Sequence, residues 1–297
     1  MRVLLTTYPE KTIFQPMVPL AWALRTAGHE VRVASQPRFN ETITDTGLTA
    51  APVGRHNTNW RRLTDLDPDG AEEERSGLPM PYHAVELPEA ELDWQAMSAG
   101  YRTMLELWHR RDNFPLIAGL TEFARHWQPD LVLWEPTTYA GAIAAKACGA
   151  AHARLLWSID VFGVTRDLFL RLKNRQPPAE RADPLADWLG AYGRKYGFDF
   201  TEDMVTGQFT VDPLPATLRM EADLHYLPVQ YLPYGGPAVV PDWSHEPPDR
   251  PRVGLTLGTS ATEQFAGYGL DVGDILRSLA DLDVEVVATV AESEQRK

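Results

Sequence analysis

The sequence predicts an α/β fold of parallel strands joined by crossover helices, with a second unit of the same kind begun near its end. Three stretches predict it. A short apolar run, "RVLLT" at residues 2–6, leads into "MVPLAWALRTAGHE", whose apolar residues fall at helical spacing, and then into a second strand-like run, "VRVAS". The pattern repeats in "DLVLWE" (130–135), "YAGAIAAKACGA" and "ARLLWS" (153–158), and starts once more in "VGLTLGTSA", "LDVGDILRSLADL" and "VEVVATVA". Strand, helix and strand in succession form a βαβ unit, and such units build parallel sheets through right-handed crossovers.

Taken in order, the first helix closes at Gly28, where a C-terminal glycine is expected. Residues 54–99, with "DLDPDGAEEERSGLPMPYH", lack periodicity and are rich in proline, glycine and acids, so they are expected as a long mobile surface insertion. "DWQAMSAGYRTMLELW" (93–108) carries aromatic residues and methionines on a helical stripe, which is expected to face the core. "YLPYGGPAVVPDWSHEPPDRPR" (231–252) has the proline and glycine density of a linker. The expected organisation is therefore one domain over residues 1–232, a linker over 233–252 and the beginning of a second domain over 253–297. Two strands and a helix cannot bury both faces of a parallel sheet, so the last part is expected to be an incomplete piece of a larger domain.

Charge and cysteine content restrict the function. The net charge of -13 argues against nucleic acid and against a polybasic membrane contact. A single cysteine, Cys148, forms no intrachain disulfide and lies in a stretch that reads as a buried helix, which fits a reducing cytoplasm. "MRVLL" is too short an apolar run for a signal peptide, and no window approaches the ~20 apolar residues of a membrane span. In a sheet of this kind ligands bind beyond the carboxyl ends of the strands, which places residues 7–14, 135–139 and 158–162 around one cleft. The loop after the first strand has no G-x-G-x-x-G, so an NAD-type oxidoreductase is disfavoured.

"MVPLAWALRTAGHEVRVASQP", "GLTAAPVG", "HWQPDLVLWEP", "HARLLW", "DPLADWL", "GQFTVDPLPATLRM" and "LTLGTS", in this order, resemble the antibiotic glycosyltransferases that attach deoxysugars to macrolide and anthracycline aglycones. The resemblance spans nearly the whole chain. It implies the GT-B fold, in which a Rossmann-like N-terminal domain binds the acceptor and a second one binds the nucleotide sugar. It also implies inverting transfer from a dTDP-deoxysugar without metal or other cofactor, and in several relatives a partner resembling a cytochrome P450.

The resemblance implies site residues too. The family carries a histidine in the turn after the first strand, paired with a carboxylate after a later strand, and histidine is suited to take the acceptor hydroxyl's proton near neutral pH. Here that position is Ile13, while Glu135 stands where the carboxylate falls. Ile13 is open to three readings: an engineered substitution, an inactive natural paralogue, or a loop whose base is Glu10. Glu135 is open to four: a base in its own right, a ligand-binding acid, a relic, or a cap on the following helix. Phe14, Trp134, Thr137 and Trp157 are expected to line the acceptor cleft. Gly258, Thr259 and Ser260 are expected to meet the donor diphosphate with backbone N–H groups and hydroxyls. The leading expectation is a transferase, and the alternative is a non-catalytic acceptor- or partner-binding half.

Overall fold

The computed structural model describes residues 1–56, 79–258, 268 and 270–291. These fall into two units that meet between residues 237 and 238. In the first unit seven strands, β1 (Arg2–Thr6), β2 (Glu30–Ser35), β3 (Thr49–Pro52), β4 (Leu131–Trp134), β5 (Ala151–Leu155), β6 (Thr210–Asp212) and β7 (Tyr226–Pro228), form one sheet. All pairings are parallel, in the order β3-β2-β1-β4-β5-β6-β7.

Side chains alternate across the strands and divide the core in two. Val3 and Leu5 of β1, with Leu133 of β4, pack against the short helices α1 (Lys11–Phe14), α2 (Val18–Thr26) and α3 (Asn40–Thr44). Leu4, Val132 and Trp134 enter the opposite core. That face is covered by α4 (Trp94–Met104), α5 (Arg110–Trp127), α6 (Ala140–Cys148), α7 (Val161–Asn174) and α8 (Pro184–Tyr196). Helix α2 stops as its sequence predicts: Gly28 takes a left-handed conformation, and the amides of Gly28 and His29 reach back to the carbonyls of Arg25 and Leu24 at 3.0 and 3.1 Å.

The expected insertion needs correction over its second half. Residues 79–99 are not an exposed loop: Tyr82, Ala84, Trp94 and Met97 are buried, and α4 already begins at Trp94, capped by the Asp93 carboxylate at 2.8 Å from the Ala96 amide. Proline-rich sequence here conceals packed chain, because a short aromatic segment can fill a core without helical or strand period. Residues 57–78 lie outside the described residues. The stripe along 93–108 does face the core, with Met97, Tyr101, Met104 and Leu105 buried. Helix α4 runs into α5 through a π-helical turn, Leu105–His109. Cys148, at the end of α6, is half-buried, and burial pushes its thiol pKa up.

In the second unit β8 (Arg252–Thr256) and β9 (Glu285–Thr289) pair in parallel, with α9 (Val272–Leu279) between them in sequence. None of its described residues is fully buried. The start of the expected linker still belongs to the first unit, since Tyr234 packs edge-on against Trp22 with ring centroids 5.0 Å apart. Among the described residues no helix is long and apolar enough to cross a membrane.

Candidate functional site

The strand order reverses at β1, whose neighbours are β2 on one side and β4 on the other. Thr6 is in register with Trp134, so the next residues, Thr7 and Glu135, leave the sheet together at the crevice where such folds bind ligands. Glu135 is fully buried there. Its carboxylate accepts the Thr137 amide at 2.8 Å, the Thr137 hydroxyl at 2.8 and 2.9 Å, the Thr138 hydroxyl and, at 3.4 Å, the Trp157 indole N–H. The Tyr8 backbone N–H also donates to it. Burial pushes the Glu135 pKa up, and the bonds from Thr138, Thr137 and Tyr8 oppose that shift.

A carboxylate has about four lone-pair directions, and here they are met by donors alone. Glu135 is therefore held by its own loop and by the loop after β1. The helix-cap reading does not hold, because the first amide of α6, Ala140 N–H, donates instead to Asn113 Oδ1 at 2.8 Å. Thr137, expected to touch acceptor, spends its hydroxyl and its amide on Glu135.

The loop after β1 folds as the short helix α1. Glu10 caps it, accepting from the Thr12 amide at 3.3 Å and the Thr12 hydroxyl at 3.2 Å, which fixes its carboxylate at the helix start. Ile13 is half-buried within this turn. Two expected lining residues are corrected. Phe14 has no exposed surface and packs edge-on against Phe39, with centroids 5.5 Å apart. Trp134 has none either: alternation along β4 turns it under α6, with its indole nitrogen 3.4 Å from His152 Nδ1. Trp157 behaves differently, since it is half-buried and meets Glu135 directly.

Trp157 belongs to an aromatic wall that includes Tyr82, Trp108 and Phe162, with Met104, Val161 and Met220 packed among them. The Tyr82 ring sits 4.7 Å from Phe162 and 6.1 Å from Trp108. Tyr82 and Phe162 are buried within this cluster, while the Trp108 and Trp157 rings are partly exposed at its edge, and Trp157 joins it to the buried carboxylate. On the second unit Gly258 takes a left-handed conformation two residues beyond the end of β8. Thr259 and Ser260 lie outside the described residues.

Residues 22–258 match the family described as erythromycin biosynthesis protein CIII-like, N-terminal domain. The chain belongs to this glycosyltransferase family. It is 50% identical over 305 residues to the 10-deoxymethynolide desosaminyltransferase of Streptomyces venezuelae, covering 99% of this chain and 68% of that protein. It is 42% identical over 299 residues to the aclacinomycin-T 2-deoxy-L-fucose transferase of Streptomyces galilaeus, covering 99% and 68%. The crystal structure of the glycosyltransferase VinC, in complex with dTDP, superposes with a TM-score of 0.83 at 38% identity, covering 100% of this chain and 68% of VinC. The seven-stranded parallel sheet is thus the N-terminal Rossmann-like domain of a GT-B glycosyltransferase.

In this CIII-like chain, sequence reasoning missed Tyr82, Trp108 and Met220 as parts of the wall. Trp108 and Met104 did carry a signal, being at the end of the helical stripe where the core side turns toward the crevice. Tyr82 carried none, as "MPYH" follows neither period. Asn113 was missed as well, although it holds the turn that carries Glu135.

Proposed function

We propose that the protein transfers a deoxysugar from a dTDP-sugar to a hydroxyl of a polyketide aglycone, inverting the anomeric carbon. The observation that carries this reading is the aromatic wall of Trp157, Phe162, Tyr82 and Trp108 beside the buried Glu135. An aglycone offers a broad apolar face to such a wall and a hydroxyl to the polar end of the crevice. The relatives named above, transferases of a desosaminyl or 2-deoxy-L-fucose group, support the same substrate classes and favour transfer over a non-catalytic role. In the reaction the acceptor oxygen attacks the anomeric carbon, the sugar–phosphate bond breaks and the diphosphate leaves with its electron pair, while a base removes the hydroxyl proton. Gly258 to Ser260 are assigned to the donor side, and the cytoplasm is the proposed compartment. The same reading includes a P450-like auxiliary partner and no divalent metal. Both carboxylates of the crevice loops, Glu10 and Glu135, already accept from N–H and O–H donors of their own loops.

The test is made in the full-length enzyme by placing histidine at position 13. A positioned base contributes about 10²- to 10⁴-fold, so Ile13→His raises turnover by a factor in that range if Ile13 has displaced the base. Glu135→Gln in that background removes the gain. Turnover unchanged by Glu135→Gln there overturns the pairing of these two positions.

A further inference from the structure

We propose that Asn113 is a positioning residue for Glu135, holding the turn over residues 135–140 against the long helix α5. The inference rests on the reading of Glu135 as the acid of the acceptor site. Asn113 is 1% exposed, one turn into α5. Its carboxamide makes three hydrogen bonds: Nδ2 donates to the Thr137 carbonyl at 2.8 Å and to the His109 carbonyl at 2.9 Å, and Oδ1 accepts from the Ala140 amide at 2.8 Å.

The partners fix the amide's orientation, because a flipped group would face two carbonyls with its oxygen and an N–H with its own N–H. Two of the three bonds go to the turn itself, one at Thr137 and one at Ala140, so a single side chain clamps it at its middle and at its C-terminal end. Thr137 is also the residue that gives Glu135 both an amide and a hydroxyl. The connection therefore runs from α5 through the Thr137 backbone to the carboxylate.

A second contact from the same helix face supports the clamp. His109 lies one turn before Asn113, is buried, and sets its ring edge-on to Tyr139 with centroids 5.2 Å apart. Its Nε2 is hydrogen-bonded to the Tyr82 hydroxyl, which belongs to the aromatic wall. The π-helical turn ending at His109 lets Trp108 join the wall while His109 and Asn113 address the turn.

The experiment follows the Glu135 side-chain carboxyl by carbon-13 NMR through a pH titration of this chain, with Glu135→Gln assigning the signal. In Asn113→Ala the turn opens to water and the Glu135 midpoint falls toward the ordinary glutamate range. Leu120→Ala, in the core two turns further along α5, is the control for a loss of stability alone, and it leaves the midpoint in place. If Asn113→Ala does not fold, Asn113→Leu keeps nearly the same side-chain volume and adds no charge while losing the bonds to Thr137, His109 and Ala140, and the same reading applies. An unchanged midpoint in the folded variant, or an equal shift in Leu120→Ala, overturns the proposal. Either result is independent of the transfer assay above, which tests the role of Glu135 itself.

Discussion

At the residue scale the buried ionisable groups set the behaviour of the site. His109 loses its hydration on folding, and burial lowers its pKa to about 3, so the ring is neutral at pH 7. Above about pH 6.5 the folded and unfolded chains both hold it neutral. As the pH falls below that, the unfolded chain takes up a proton that the folded chain refuses, and stability drops by about 1.4 kcal/mol per pH unit down to the folded pKa. His152 is shifted downward by burial as well, partly offset by Asp203, and adds to the same trend. Glu135, raised by burial, works in the opposite sense, because its contribution is lost as the pH rises through its folded pKa. The His109 share is therefore read from a difference. Urea unfolding between pH 7 and 5 should show wild type losing about one proton's worth of slope more than His109→Phe, and equal slopes would place His109 outside this linkage.

At the scale of elements, close approach and buried pairing hold the crevice in shape. Helix α6 lies so near the sheet that a Cβ on Gly141 would sit 2.4 Å from Trp134 Cβ and 2.7 Å from Thr6 Cγ2. Gly141→Ala should cost about 1–3 kcal/mol by pushing α6 off β1 and β4, measured as a lowered urea midpoint with unchanged m-value. The loop carrying Trp157 is held by a buried ion pair: Arg154 of β5 grips Asp160 through two bonds of 2.9 and 2.6 Å, and Asp160 also caps α7 at the Gly163 amide. Tyr226 of β7 donates its hydroxyl to the same carboxylate at 2.8 Å. Removing one charge leaves the other uncompensated in the interior, so Asp160→Asn should destabilise by about 3–5 kcal/mol. A loss below 1 kcal/mol would mean that Arg154 finds water or another partner.

At the scale of the molecule, the two units differ in how much core they own. The first closes a seven-stranded sheet between two apolar layers, whereas the described part of the second has no buried residue. The first unit carries the proposed acceptor wall, so the isolated chain should bind a macrolide aglycone by calorimetry and bind a dTDP-sugar poorly. Trp157→Ala should weaken aglycone binding about tenfold or more by removing the half-buried ring that bridges the wall and Glu135. Tight donor binding without aglycone binding would reverse the assignment of the two units.

The sequence by itself determined the βαβ succession, the end of α2 at Gly28 and the crevice position of Glu135, because these follow from local period, local caps and strand ends. The family was legible for the same reason, since its motifs lie along the strands and turns in fixed order. What each crevice residue faces was decided only by the tertiary structure. Trp134 and Trp157 look alike in their strand ends, yet alternation on β4 buries the first under α6, while the second leaves β5 and meets the carboxylate. Tyr82, His109 and Asn113 come from segments distant from Glu135 in sequence, and no local pattern marks them. Their partners are brought by packing α5 and the segment before α4 onto one face of the sheet, and contact at a distance in sequence has no period to read.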